Sequence, residues 1–276
     1  MTSAYVPLAS NEAGTITSNK TVGGGGFAAL QDSRRDVVAV VAATTSPLQL
    51  NLDLGSAKTI KGIALLNLYA TQSLSVEIFS ATLSNYSDAV SRFASTALPS
   101  TWPDSENIYI RPTQVSAQYW RVTLSWSGSA AVSLGELVAT SVETTLTRLY
   151  GLGNMEDTAT PATEFTARGG VLVREAIGGP RRIKRFTFAD LSRAQQNEIQ
   201  KMWFAGACGT RPILFVDKIG TAGDTAQLTD VDEQTSRCTA GLLEPATGWT
   251  EVDFRLFDKP QLTLTELSPD ARLPNG

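Results

Sequence analysis

Hydrophobic and polar residues alternate in several short segments of the first half of the chain. In PLQLNLDLG the apolar positions are Leu48, Leu50, Leu52 and Leu54. A period of two residues predicts a β-strand with one buried face. The next segment, IKGIALLNL at residues 60–68, is almost continuously apolar, which predicts a strand buried on both faces.

The same type of pattern recurs up to about residue 140. SLSVEIFSA places Leu74, Val76 and Ile78 on one face and Phe79 on the other, and NIYIRP, QYWRVTLSW and AVSLGELVATSV follow. Six or more short strands separated by turn residues predict a β-sandwich, which we assign to residues 1–143. Four successive glycines, Gly23 to Gly26, predict a flexible loop before these strands.

The second half of the chain predicts a β-rich domain at residues 144–276 with one short helix near residues 190–205. GGVLVREAI and RRIKRFTFADL are predicted strands joined by a GGP turn, and RPILFVDK and EVDFRLFDKPQLTLTEL add further strands. Ser192 followed by Gln195 is typical of a capping box at the start of the helix. The predicted apolar face of that helix consists of Leu191, Ala194, Gln195, Ile199, Met202 and Trp203. The fold class is therefore predicted to be mostly β.

Composition excludes several classes of function. The 23 basic and 27 acidic residues give a net charge of −4 and form no basic stripe, so neither nucleic acid nor an anionic membrane surface is an expected partner. No apolar run is long enough to span a bilayer and no secretory leader is visible, so we expect synthesis in a cytoplasm. Cys208 and Cys238 are interpreted as small buried hydrophobes, with a disulfide left open.

The sequence contains no histidine. Histidine is the usual general base near neutral pH and the commonest metal ligand, so Ser-His-Asp chemistry and ordinary zinc sites are excluded. We expect no catalytic residue, no metal and no cofactor. A carboxylate pair, Asp104 and Glu106, remains as an alternative of the glycosidase type, but solvated loop acids are the preferred interpretation.

Candidate binding residues lie in polar loops. Trp102 in ALPSTWPDSENIYI has the chemistry to stack on a sugar ring, with Asp104, Glu106 and Asn107 bonding its hydroxyls. The alternative is that Trp102 folds back to cover the edge of the sandwich. Tyr86 in LSNYSDAV is a further candidate for glycan binding.

A basic segment in the second half is a candidate subunit interface. Arg181, Arg182, Lys184 and Arg185 alternate along a predicted strand with Ile183 between them, and Trp203 lies on the predicted helix. A nuclear-localisation or nucleic-acid role is the compositional alternative. We favour pairing with acids of a neighbouring subunit, since arginine and tryptophan are common interface anchors.

The first half resembles the galactose-binding-like, or discoidin (coagulation factor 5/8 C-terminal), jelly-roll sandwich. LQLNLDLGSAKTIKGIALL, AQYWRVTL and GELVA carry this resemblance. Within the second of these segments, Tyr119 and Trp120 face opposite sides of one strand, so at least one of them is expected in the core. Arg121 is interpreted as a structural residue at the core rim, and Asp53 with Gly55 as shaping a turn.

The second half resembles phage tail-tip and baseplate proteins of the distal-tail type. RFTFADLSRAQQNEIQKMWFAGACGTRPILFVD carries that resemblance. It implies a structural component of a tailed-phage virion at the tail tip or baseplate, located in the virion tail after assembly in the host cytoplasm. Other phage tail proteins, further copies of the chain and a host-surface glycan would be its partners. The alternative is a carbohydrate-binding module of a non-viral surface protein.

Overall fold

The computed structural model describes residues 3–31, 38–98, 106–146, 155–159, 162–166, 172–176, 181–205, 211–216, 219–229, 238–244, 250–253 and 256–266. Most of them are in strands, as predicted, and a single helix exceeds two turns within these ranges. In the same ranges no helix has both the length and the apolar content needed to cross a bilayer.

The strands of the first half are β1 (Ser3–Pro7), β2 (Thr15–Ser18), β3 (Gly23–Gly24), β4 (Ala39–Thr45), β5 (Leu48–Thr59), β6 (Gly62–Ala70), β7 (Ser75–Ala81), β8 (Val90–Ala97), β9 (Glu106–Ile110), β10 (Ser116–Ser125), β11 (Ser129–Leu134), β12 (Glu136–Thr140) and β13 (Thr144–Leu146). Two short 3-10 helices cover Leu8–Ser10 and Gly26–Leu30.

The second half contains β14 (Met155–Ala159), β15 (Ala162–Thr166), β16 (Leu172–Ala176), β17 (Arg181–Ser192), β18 (Ile213–Val216), β19 (Cys238–Glu244), β20 (Thr250–Asp253) and β21 (Leu256–Glu266). Its helices are α1 (Arg193–Ala205) and α2 (Ala226–Thr229).

Three sheets form the body of the molecule. A five-stranded sheet has the order β2-β5-β10-β7-β8, and a six-stranded sheet has the order β12-β6-β11-β4-β3 with β9 beside β6. The eight-stranded sheet has the order β13-β1-β18-β19-β21-β17-β14 with β20 beside β21. Residues 3–7 therefore pair with strands of the second half, although the sequence assigns them to the first; the division between residues 143 and 144 stays a prediction.

The layers are held together by three apolar clusters. The five-stranded and six-stranded sheets enclose the largest cluster, which contains Trp120 at its centre. A second cluster, including Leu66 and Leu214, joins the six-stranded sheet to the eight-stranded sheet. The third, including Phe215 and Met202, lies between the eight-stranded sheet and α1. The six-stranded sheet contributes side chains to the first two clusters, so both of its faces are buried. Each fully buried apolar side chain contributes about 1.5–3 kcal/mol to stability.

The hydrophobic patterns predict these layers correctly. Leu48, Leu50, Leu52 and Leu54 are all buried on the inner face of β5. Residues 62–68 of β6 are buried without interruption, as the continuous apolar run predicts. Val76 and Ile78 point into the core, whereas Phe79 lies on the other face of β7, half-buried.

The start of α1 has the predicted capping box. The backbone amide and the hydroxyl of Ser192 both donate to Oε1 of Gln195, at 3.0 Å each, and the amide of Gln195 donates back to the Ser192 hydroxyl at 3.4 Å. The predicted face is wrong in part, because Gln196, Ile199 and Met202 are the buried residues and Ala194 is exposed. Gln196, Ile199 and Met202 are spaced three residues apart and therefore share one face, and packing of Ile199 and Met202 against the eight-stranded sheet leaves Ala194 exposed.

Two local predictions need correction. Gly23 and Gly24 are not simply loop: they pair with Val40 and Ala39, and Gly24 has a φ of +64° beside the Val38 carbonyl. Asp53 and Gly55 shape a local turn, but within the strand and not at its end: Gly55 has a φ of +73°, and residues 54–57 are passed over in the pairing of β5 with β10. The amide of Gly55 donates to Oδ1 of Asp53 at 2.8 Å inside β5, which continues to Thr59.

A buried polar group links the two halves of the chain. Arg111, just after β9, forms an ion pair with Glu143 at 3.2 Å, and its Nη1 donates to the Gly220 carbonyl at 2.7 Å. The Tyr109 hydroxyl donates to Oε2 of Glu143 at 2.6 Å. Burial, followed by the nearby Glu143 charge, raises the pKa of Tyr109 well above its usual value. These contacts fix the loop before α2 against the sandwich.

Candidate functional site

The outer face of the five-stranded sheet carries the strongest cluster of aromatic and polar side chains in the described residues. β10 is the central strand of this sheet, and its Trp120, Val122 and Leu124 point into the core. Since successive side chains in a strand alternate, Tyr119, Arg121 and Thr123 occupy the outer face. We call this surface the β10 face.

Tyr86 packs onto this face from the loop between β7 and β8. The Arg121 Cζ atom lies 4.0 Å from the centroid of the Tyr86 ring, within cation–π distance. The Tyr86 hydroxyl donates to the Trp120 carbonyl at 2.8 Å. The ring of Tyr119 meets that of Tyr86 edge-on, with centroids 6.3 Å apart.

The backbone at Tyr86 adopts an unusual conformation. Its φ of 60° lies in the left-handed region that non-glycine residues seldom occupy. Such a conformation persists where surrounding contacts impose it, and here the hydroxyl bond to the sheet does so. Within the same loop, Asp88 accepts bonds from the Thr82 hydroxyl and from the Thr82 and Leu83 amides. The Thr82 bonds lower the pKa of Asp88, so this carboxylate stays ionised near neutral pH.

Polar side chains of β5 hold the other side of Arg121. Its Nε donates to the Asn51 amide oxygen at 2.7 Å. The Gln118 amide donates to Oδ1 of Asp53 at 2.9 Å, next to the register shift between Ala117 and Tyr119 in β10. The orientation of Arg121 is therefore fixed by an aromatic ring and an amide. These contacts agree with the structural role predicted for Arg121. They also hold its guanidinium group at the surface of the sheet.

Burial changes the ionisation of Tyr86. Loss of hydration raises the pKa of Tyr86 to about 12, against an opposing effect of the Arg121 charge. The hydroxyl is therefore protonated at any ordinary pH and acts as a hydrogen-bond donor to the sheet.

The structure describes two of the other predicted binding residues, and both belong to β9. Asn107 belongs to β9 in the six-stranded sheet, is 3% exposed, and accepts a bond from the Asn67 amide at 2.9 Å. Glu106 is the first residue of β9. Trp102 and Asp104 lie outside the described residues. Among the predicted binding residues that the structure describes, Tyr86 is the one that falls on the β10 face. The alternation of apolar and polar residues places Asn51 and Tyr119 on an outward face, but it does not distinguish them from other outward-facing strand residues.

The predicted interface residues belong to two elements. Arg181, Arg182, Lys184 and Arg185 lie on β17, which pairs with β21 on one side and β14 on the other. Lys184 is 8% exposed and Arg185 is half-buried. Trp203 packs against the cluster under α1. A role for these residues in subunit contacts stays a prediction.

The cysteines and acids form no evident ligand site in the described parts of the chain. Cys238 is buried between the six-stranded and eight-stranded sheets, as predicted for a small hydrophobe, and Cys208 lies outside the described residues. Among the described ranges, no group of three or more cysteine, aspartate or glutamate side chains is arranged to hold a metal ion.

Comparison with known proteins finds no matching family model and no matching curated protein. Solved structures that match include a pectin-binding carbohydrate-binding module, at 14% identity, covering 48% of this chain and 93% of that one with a TM-score of 0.37. A chitosan-binding module from Paenibacillus sp. IK-5 has 20% identity, coverages of 49% and 99%, and a TM-score of 0.35. A Clostridium perfringens carbohydrate-binding module in complex with GalNAc-β-1,3-galactose has 14% identity, coverages of 50% and 99%, and a TM-score of 0.37.

These matches cover the N-terminal half, whose sequence resembles galactose-binding-like sandwiches. Similarity at this level identifies neither a ligand nor a function for this chain, and the strand order described above stands independently of it. The resemblance of the second half to tail proteins stays a prediction.

Proposed function

We propose that the chain is a non-catalytic carbohydrate-binding protein and that its sandwich binds a glycan on the β10 face. The observation that carries this proposal is the cluster on the outer face of the sheet in which Arg121 lies over the ring of Tyr86 and Tyr119 meets that ring edge-on. Sugar rings present apolar C–H faces and a rim of hydroxyls, so they suit aromatic rings set among fixed polar groups.

The polar groups around the aromatic pair have the required chemistry. Asn51 and Gln118 supply amides, and both described bonds to Asp53 end on Oδ1, which leaves Oδ2 for a ligand hydroxyl. Arg121 supplies donors whose direction is set by Asn51 and Tyr86. Pre-set side chains lose little conformational entropy on binding, which favours affinity. The pectin-binding and chitosan-binding names of the similar structures suggest which polysaccharides to try first.

Binding is tested by affinity electrophoresis of the full chain in gels containing pectin, chitosan or galactan, followed by calorimetric titration with the retained polysaccharide. We expect Tyr119→Ala to weaken binding about two- to tenfold, because a lost aromatic contact is worth about 0.5–1.5 kcal/mol. Tyr69→Ala, the same truncation at a half-buried position of the six-stranded sheet, is the matched control and should bind normally.

Trp102→Ala distinguishes the β10 face from the loop candidate. Loss of binding in this variant, with full binding in Tyr119→Ala, would move the site to the Trp102 loop. If none of a broad glycan panel is retained by the unaltered chain, the carbohydrate-binding proposal is wrong.

A further inference from the structure

A continuous row of side chains crosses the β10 face from one edge of the sheet to the other. The register pairs Thr17 with Asn51, Asn51 with Arg121, Arg121 with Phe79, and Phe79 with Ser91. Directly paired residues of neighbouring strands share a face. Each of the five strands therefore contributes one side chain to this row.

The dimensions of the row match an extended sugar chain. Neighbouring strands lie about 4.8 Å apart, so four spacings give a row of about 19 Å. One strand spacing is close to the length of one pyranose unit in an extended polysaccharide. The two end residues of the row, Thr17 and Ser91, are exposed, and the three central ones are half-buried, so a ligand can extend past the row at both edges of the sheet.

An unsatisfied hydroxyl lies beside the centre of the row. Thr123 is on the same face of β10 as Arg121, with Gln49 and Glu77 as its cross-strand partners. It is only 8% exposed, and its Oγ1 has no hydrogen-bond partner among the residues that the structure describes. A buried hydroxyl without a partner costs about 1–3 kcal/mol, so a ligand hydroxyl reaching between Gln49 and Glu77 would remove that cost.

The geometry points to an internal stretch of an extended polysaccharide as the ligand, lying across the strands with about one sugar unit per spacing between neighbouring strands. This inference rests on the proposed function and adds its ligand class: a chain segment of about four units rather than a single terminal sugar. Tyr86, seated on Arg121 at the middle of the row, contacts the central unit. Phe79 and Thr17 contact units on either side of it.

The length of the ligand is tested with chitosan oligosaccharides of one to about six units, or with the pectin series if pectin is the polysaccharide retained. Calorimetric titration should show affinity rising at least about tenfold from the dimer to the tetramer and then levelling, since further units pass beyond the sheet. If a single sugar unit binds as tightly as the tetramer, the extended-chain inference is overturned while the proposed function stands.

Two variants locate the chain on the row. Thr17→Arg places a bulky side chain at one end, and Phe79→Ala removes an apolar contact near the other; both should lose most of the gain from added units and keep the affinity for the dimer. Ser129→Arg on the six-stranded sheet and Phe204→Ala, the same truncation at an exposed position of α1, are the controls. If both row variants keep the full gain with length, the chain lies elsewhere and the inference fails. Absence of binding to every oligosaccharide and polysaccharide would instead remove the proposed function itself.

Discussion

The two sheets of the sandwich differ in what their outer faces meet. The six-stranded sheet is covered on its outer side by the eight-stranded sheet, through Ala64, Leu66 and Val138. The five-stranded sheet has a buried inner face only, and its outer face carries Arg121, Asn51 and Tyr119. The same strand architecture therefore serves as an internal layer in one case and as a surface in the other.

Because of this difference, residues that stabilise the fold and residues available for ligand binding lie on opposite faces of the five-stranded sheet. A side chain buried on either face of the six-stranded sheet contributes to the packing of the whole molecule. On the five-stranded sheet the two faces have separate roles, since alternate residues of one strand are either core or surface. A ligand surface can therefore be altered at Tyr119 without disturbing Trp120 beside it.

The largest expected change in the free energy of unfolding comes from a substitution on the inner face of β10, compared with one on its outer face. Trp120→Ala should lower the free energy of unfolding by about 3–5 kcal/mol, because it removes a fully buried ring from the centre of the largest cluster. Tyr119→Ala should lower it by less than about 1 kcal/mol. Denaturant unfolding followed by tryptophan fluorescence and circular dichroism measures both. Equal losses in the two variants would contradict the separation of the faces.

The junction between the halves should be the next most sensitive region. Glu143→Ala removes one member of a buried ion pair and leaves Arg111 without its acid, which we expect to cost about 3 kcal/mol. Glu77→Ala, on the surface of the five-stranded sheet, is the control and should cost less than about 1 kcal/mol. Chemical denaturation measures the free energy of unfolding of both variants. If Glu143→Ala lowers it no more than Glu77→Ala does, the junction adds little stability.

Alkaline pH should weaken the fold through its buried tyrosines. The pKa of Tyr86 is about 12 in the folded protein, above the ordinary value of 10.0 that applies when the chain is unfolded. The unfolded chain therefore loses its proton first, so the contribution is complete below about pH 10 and is lost as pH rises towards 12. Unfolding measured from pH 8 to 12 should show a shallower decline in Tyr86→Phe than in the unaltered chain. Phenolate absorbance showing Tyr86 titrating near pH 10 would contradict its burial.

The smallest effect concerns an apolar cavity inside the sandwich. Eight apolar side chains line it, namely Val22, Leu30, Ala39, Val41, Leu48, Leu50, Val132 and Leu134. Val132→Ile should fill part of it and raise the free energy of unfolding by about 0.5 kcal/mol. Val138→Ile, in the packed junction, should instead lower it by about 1 kcal/mol through overpacking. Thermal unfolding of both variants gives the comparison, and a gain in the second variant would show that the junction is loosely packed.

Much of the fold follows from the sequence because periodicity reports burial. The alternation of Leu48 to Leu54 and the continuous apolar run of β6 each specify how many faces of a strand are covered. The capping box of Ser192 and Gln195 was also predicted from the sequence, because it depends only on residues that are three positions apart. The buried face of α1 was predicted only in part, because the way the helix packs on the sheet decides which side chains are covered, and this packing buries the polar Gln196.

The candidate site was mostly not predictable, because it is assembled across strands that are distant in sequence. Tyr86, Asn51 and Arg121 meet only through the register of β5, β10 and β7 and the left-handed turn at Tyr86. Asn107, predicted from its polar surroundings, instead bonds the backbone at Asn67.

The sequence by itself determined the fold class and, for strands with a clear pattern such as β5 and β6, how many of their faces are buried, since alternation is a local property. Only the tertiary structure decided that β1 joins the sheet of the second half and that the six-stranded sheet is covered on both sides. It also decided that the outer face of β10 gathers Tyr86, Arg121 and Asn51. Strand pairing and register depend on contacts between distant segments, which no local pattern records.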